Sequence, residues 1–166
     1  TAMASRLNDD LYRLSRNLPV IYGGQYHVGH NQYTEIILYG ETMSATPNGR
    51  RTGDYISHGI TPSRLNKGRT VPEIFYTVSK LGLKRFSGNS ILTLQLPAGK
   101  MDRKIFCALL RTAAKSGVQA MQLNCVEKED LLKAQKEPDN YGHIIVRVCG
   151  FSAPFVLLSE KYQTEF

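Results

Sequence analysis

Residues 144–155 read "IIVRVCGFSAPF". A β-rich apolar run ends at Cys149-Gly150, and an aromatic, a serine and a proline follow. Glycine gives a strand nothing to pack and loses the most conformational freedom on folding, so its presence asks for a reason beyond strand formation. Other residue types able to do chemistry are scattered along the chain. His27 and His30 sit three apart in "HVGH" and could begin a metal site, but such a site needs a third and a fourth ligand. Only His58 and His143 remain as further histidines, with nothing to fix their position, so the pair reads as surface or structural and no metal is expected. "TPNGRRTG" (46–53) has the glycines of a phosphate loop but not the strand, the Gly-x-x-x-x-Gly-Lys spacing or the helix. Thr46 leads into Pro47-Asn48-Gly49, a turn by its residue chemistry. Arg50 and Arg51 on that turn are either solvated or clamp a carboxylate or a carbonyl. Cys125, with Glu127 two places on, has neighbours suited to a nucleophile or a radical carrier. It ends an apolar strand, however, where a buried thiol is ordinarily inert packing. Cys107, on an expected helix, and Cys149 carry the same simple reading. No Ser-His-Asp constellation can be assembled from histidines this dispersed.

The elements that must position these groups follow from periodicity. Leu7, Leu11, Leu14 and Leu18 predict a helix over 6–17, capped by Asn8 or Asp9 and stopped by Pro19. Residues 20–33 read as loop, and "TEIILYG" (34–40) suits either a helix or a strand. The stretch 41–70 is rich in Gly, Pro, Ser, Thr and Arg and predicts a long loop, of the kind that is functional or disordered. A helix is predicted over 72–81 and a strand over 90–96. The next helix, 102–115, is capped by Asp102, has Ile105, Phe106, Leu109, Leu110 and Ala113 on one face, and is closed by Gly117. A strand over 118–126, a helix over 127–136 and a strand over 143–149 complete the alternation, and Ser159 caps a last helix. Asp9 and Asp10, and Glu127, Glu129 and Asp130, fall at expected helix starts, where they favour the helix dipole. Strand–helix alternation from residue 90 predicts an α/β fold with some parallel pairing, in one domain spanning 1–166.

With 166 residues, 42% hydrophobic and 21% charged, the composition is that of a folded domain. No apolar run reaches bilayer length, and the N-terminal residues lack a secretory apolar region, so no membrane association is expected. Three cysteines without a C-x-x-C pair argue against a disulfide framework and a zinc site, and point to a reducing cytoplasm. The net charge is +7, but its basic residues, as in "SRLNKGR" and "KLGLKR", are dispersed and short of aromatics. That pattern favours a solvated surface or a face for an acidic partner over a nucleic-acid groove. A basic nucleic-acid-binding module is the weaker alternative.

Four segments together resemble one family. "RVCGFSAPF" (147–155) is similar to the glycyl radical signature near the C-terminus of pyruvate formate-lyase and its relatives. "TPNGRR" (46–51) followed by "HGITPS" (58–63) resembles a second family segment. "GVQAMQLNCVEKEDLLKAQKEPDNY" (117–141) resembles the strand, helix and turn before the glycyl strand, and "GGQYHVGH" (23–30) its Gly-Gly-aromatic loop. The matches run in family order. The resemblance implies that Gly150 stores a backbone radical, with Arg147, Val148, Cys149, Phe151 and Ser152 as its loop neighbours. It makes Thr46, Pro47, Asn48, Gly49 and Arg50 a structural or substrate-side loop. A Cα radical is planar and stabilised by both flanking amides, and glycine has no Cβ to resist that geometry. The family's radical is installed by a separate activating enzyme that uses S-adenosylmethionine and an iron–sulfur cluster, so this chain is expected to bind no cofactor itself. The radical then oxidises a cysteine thiol on a facing loop to a thiyl, which attacks the substrate.

The family's thiyl cysteine lies far upstream of these segments. "Cys-Val-Glu" at 125–127 is similar to its local sequence, but the surroundings match the strand before the glycyl loop, so Cys125 is not assigned that role. The resemblance implies the C-terminal part of a larger α/β-barrel enzyme, inactive alone and working as a homo-oligomer. It leans toward the dehydratase and C–N or C–C lyase branch rather than formate acetyltransferase. A stand-alone glycyl radical repair subunit is the alternative within the family.

Overall fold

The structure is a computed structural model describing every residue except Thr1, Gln32, Arg64, Asn66, Lys67 and Glu165, together with the side chain of Lys100. Gln32 of the expected 20–33 loop, Arg64, Asn66 and Lys67 of the expected long loop, and Glu165 of the expected last helix therefore lie outside the described residues.

Helix α1 (Ala2–Asn17) begins earlier than its leucine spacing suggested, and Asn8 and Asp9 lie inside it rather than capping it. Asp9 and Asp10 are likewise not at a helix start; Asp9 pairs with Arg85 and Asp10 with Arg13. The helix is turned against expectation: Leu7, Leu11, Leu14 and Leu18 are exposed, while Asn8 and Ser15 are buried. The polar side chains dock because they have partners. Asn8 Nδ2 donates to the Leu81 carbonyl at 3.0 Å, and Asn8 Oδ1 lies 3.1 Å from His30 Nε2. Tyr12 and His30 both meet Phe86 edge-on. His30 is fixed by a close crossing of two loops. A Cβ on Gly29 would lie 2.1 Å from the Gly88 carbonyl oxygen, so only glycine permits the approach.

The "TEIILYG" stretch resolves as α2 (Ile36–Thr42), with Ile36 and Ile37 buried. The loop predicted from 41 thus loses its first two residues to this helix. Helix α3 (Val71–Ser79) starts on a Thr70–Glu73 capping box. Glu73 Oε2 accepts from the Thr70 main-chain N–H at 2.8 Å, and this bond holds the carboxyl below its ordinary pKa.

Strand β1 (Ile91–Leu96), helix α4 (Arg103–Lys115) and strand β2 (Ala120–Cys125) make the parallel unit that the alternation predicted, in register Leu92↔Met121, Leu94↔Leu123. Asp102 caps α4 by accepting from the Ile105 N–H at 2.7 Å. Only Leu109 and Ala113 of its expected face are buried; Ile105, Phe106 and Leu110 are exposed. The two strands give the sheet two unlike faces. Leu92, Leu94 and Leu96 bury a core with Phe75, Leu109 and Ala113. The other face carries Thr93, Gln95, Gln122 and Asn124, adjacent in the register. Cys125, expected to be buried, is exposed at the strand's end.

Helix α5 (Lys128–Lys136) leads to strand β3 (Ile145–Val148). β3 does not join the parallel sheet. It turns back on β4 (Phe151–Pro154), antiparallel, with Val148 opposite Phe151. The predicted "FSAP" loop is therefore a strand. A second core gathers Leu131, Ala134, Ile144, Val146, Val148 and Phe155. A short α6 (Glu160–Gln163) follows Ser159, whose side chain makes no cap bond. Both sheets are two-stranded and open, so the fold is mixed α/β without a closed sheet among the described residues.

Candidate functional site

The β3–β4 hairpin has a two-residue turn, Cys149-Gly150. Its left-handed residue is Cys149, with φ +48°, while Gly150 lies outside that region. Turn chemistry would place glycine at position 149, where φ is positive. A Cβ on Gly150 would also meet no heavy atom within 4 Å. Neither backbone angle nor crowding explains this glycine, and the Gly150 backbone is exposed at the tip.

The residues beside it divide by strand alternation. Val148 is buried in the second core, and Arg147 and Phe151 are exposed. Arg147 Nη1 donates to Ser152 Oγ across the hairpin at 3.3 Å. Cys149 Sγ donates to the Tyr33 carbonyl at 3.2 Å. The polar face of the parallel sheet holds the hairpin from below. Asn124 pairs with Arg147 twice, its Oδ1 accepting from the main-chain N–H at 2.6 Å and its Nδ2 donating to the carbonyl at 3.1 Å. Gln122 Nε2 donates to the Cys149 carbonyl. Sequence reading missed both amides. Their signal was two carboxamides at i and i+2 in a strand otherwise apolar, because buried amides require partners.

A cavity of about 310 Å³ opens beside this hairpin, bounded by Arg147, Val148 and Cys149 on one side and by Thr93, Gln95 and Asn124 on the other. The turn at 46–50 lines a neighbouring, more open groove with Thr46, Pro47, Asn48 and Arg50. The turn and the hairpin thus line two different cavities, which share Tyr55, Ile56, Ser57 and Gln95 between them. Arg50 is buried, at 7% exposure, and its guanidinium donates to five main-chain carbonyls, those of Gly40, Met43, Ser44, Arg51 and Asp54. It is a clamp for backbone, whereas Arg51 is exposed. Segment 34–55 is tied in turn to the end of the chain. Tyr162 donates to the Thr34 carbonyl at 2.6 Å and Tyr55 to the Lys161 carbonyl at 2.9 Å. Lys161 Nζ lies 2.5 Å from Glu41, which raises the pKa of the ammonium.

The histidines of "HVGH" are separately engaged. His27 Nδ1 bonds Ser87, and His30 spans Ser90 and Asn8. Among the described residues no cluster of three or more His, Cys, Asp or Glu side chains could hold a metal ion. Cys107, Cys125 and Cys149 are thiols.

Comparison with known proteins places this geometry. A family model described as Glycine radical matches residues 58–156. Trans-4-hydroxy-L-proline dehydratase of Clostridioides difficile is 31% identical over 89% of this chain and 19% of its own length. Isethionate sulfite-lyase of Desulfovibrio desulfuricans is 30% identical over 98% of this chain and 21% of its own length. The crystal structure of a glycyl radical enzyme from Archaeoglobus fulgidus superposes with a TM-score of 0.82 at 27% identity, covering 97% of this chain and 21% of that one. The chain spans about a fifth of the length of these relatives. A family match that runs across both cores and through the hairpin carries one conclusion: the chain belongs to the glycine radical family, as a glycyl radical domain homologous to those of dehydratases and lyases.

Proposed function

We propose that Gly150 is the radical-storing residue of a larger dehydratase- or lyase-type enzyme. The observation that carries this is a glycine at the second position of the hairpin turn, where neither angle nor space calls for one, inside the segment that the family model matches. With φ outside the left-handed region and open space where a Cβ would sit, what distinguishes glycine at 150 is its CαH2 group. Removal of one hydrogen atom leaves a planar radical between two amides, with no side chain to twist it out of conjugation. The exposed tip lets a separate activating enzyme, which supplies S-adenosylmethionine and iron–sulfur chemistry, reach that hydrogen. In the reaction, Gly150 takes a hydrogen atom from the thiol of a cysteine outside this chain, its Cα–H forming as the S–H breaks. The resulting thiyl takes a hydrogen atom from a substrate carbon, S–H forming as C–H breaks. The substrate radical then opens a neighbouring C–O, C–N or C–C bond, the product radical takes a hydrogen atom back from sulfur, and the thiyl finally recovers the hydrogen held at Gly150.

The larger enzyme would be a homo-oligomeric α/β barrel in a reducing cytoplasm. Two features support a covering parent structure: the outward leucines of α1 and two sheets of only two strands each, neither closed on itself. The turn at 46–50, rigidified by Arg50, would serve as a structural loop beside the radical hairpin. The test is oxygen exposure of anaerobically activated full-length protein, followed by intact mass spectrometry. Cleavage at Gly150, dependent on activation, is expected; a chain that stays intact, or breaks elsewhere, would contradict the assignment.

A further inference from the structure

We propose that Gln122 and Asn124 are positioning residues for the radical, holding the Gly150 hairpin on β2 and setting the electronic environment of Gly150. This rests on Gly150 as the radical site and goes beyond it to how that site is held. Among the described residues no main-chain ladder joins β2 to β3; the strands belong to separate sheets. Three hydrogen bonds from two carboxamides span the gap. Gln122 and Asn124 are two apart on β2, and their partners Cys149 and Arg147 are two apart in the hairpin. The side chains therefore act as a substitute ladder in strand register.

The Gln122 bond reaches the carbonyl of the Cys149–Gly150 peptide. That amide is conjugated with a radical at Gly150 Cα. A donor on its oxygen draws electron density from the amide nitrogen, alters the nitrogen's donation into the half-filled orbital, and fixes the peptide plane against it. Gln122 keeps this bond at a disadvantage to itself. Its Oε1 is buried with no hydrogen-bond partner among the described residues, so the side chain is held where its donor, not its acceptor, is satisfied. Asn124, 5% exposed, is buried with both its carboxamide atoms on Arg147. It fixes the strand that carries the turn.

Two readouts on the full-length protein separate this inference from the assignment of Gly150. Amide hydrogen exchange, measured before activation, needs no radical. The Arg147 N–H is expected to exchange about fivefold faster in Asn124→Ala. Asn124→Asp keeps the acceptor for that N–H but loses the donor to the Arg147 carbonyl, so its protection should lie between wild type and Asn124→Ala. Equal exchange in wild type and Asn124→Ala would overturn the positioning role. After anaerobic activation, Gln122→Met, similar in length but without a donor, is expected to change the hyperfine splitting of the radical's paramagnetic resonance and shorten its lifetime several-fold. A spectrum and lifetime equal to wild type would overturn the electronic role. A wild-type radical that persists in Gly150→Ala would instead defeat the assignment of Gly150, and the exchange result would still decide the hairpin's attachment.

Discussion

Alanine at position 150 has space for its methyl group and a backbone angle it tolerates. Gly150→Ala should therefore keep folding stability within about 1 kcal/mol of wild type, while no radical forms at that position. Chemical denaturation beside activation assays checks this, and a folding defect that accounts for the lost radical would contradict it. Arg50 presents the opposite case. Its guanidinium binds five carbonyls, and the planar fork cannot be reproduced by a point-charged ammonium. Arg50→Lys should destabilise by about 3 kcal/mol, as several buried acceptors lose donors, and Arg51→Lys should be near neutral. Equal denaturation midpoints for the two variants would show that the clamp holds nothing.

At the scale of elements, α1 docks through polar side chains, which makes its attachment sensitive to pH. His30 lies between Ser90 and Asn8, and burial lowers its pKa from the ordinary 6.5. The unfolded chain then binds the proton at a higher pH than the folded one. Stability from the bridge is complete above about pH 6.5 and is lost as pH falls through the lower folded value. Thermal unfolding between neutral and mildly acidic pH should show this slope in wild type and a flatter one in His30→Gln; identical slopes would remove His30 as its source. The same helix marks where sequence pattern stops being informative. Leucines at helical spacing announced α1 correctly but pointed to the wrong buried face, because a partner for Asn8 lies seventy-three residues away at Leu81. Asp102 and the alternation of β1 were legible because a cap and a half-buried strand are local devices. The return strand β4 was not, since Cys149-Gly150 lacks the Asn-Gly or Asp-Gly signature of a tight hairpin. Gln122 and Asn124 were hidden for a related reason: their partners are main-chain atoms of another strand, which no residue type advertises.

Over the whole molecule, two cores lie on either side of a polar seam. One is built from the β1–α4–β2 unit and α3, the other from α5 and the hairpin. The seam is bridged by carboxamides and carries the hairpin turn of Gly150, a glycine with neither a left-handed angle nor crowding to explain it, so the proposed radical chemistry would sit on that seam. The central claim is tested most directly by paramagnetic resonance of the anaerobically activated full-length protein, grown with ordinary glycine and with glycine deuterated at Cα. A radical on Gly150 predicts a doublet from the single remaining Cα hydrogen, its collapse to one line on deuteration, and its absence in Gly150→Ala. A signal that ignores glycine deuteration, or that survives in Gly150→Ala, would contradict it.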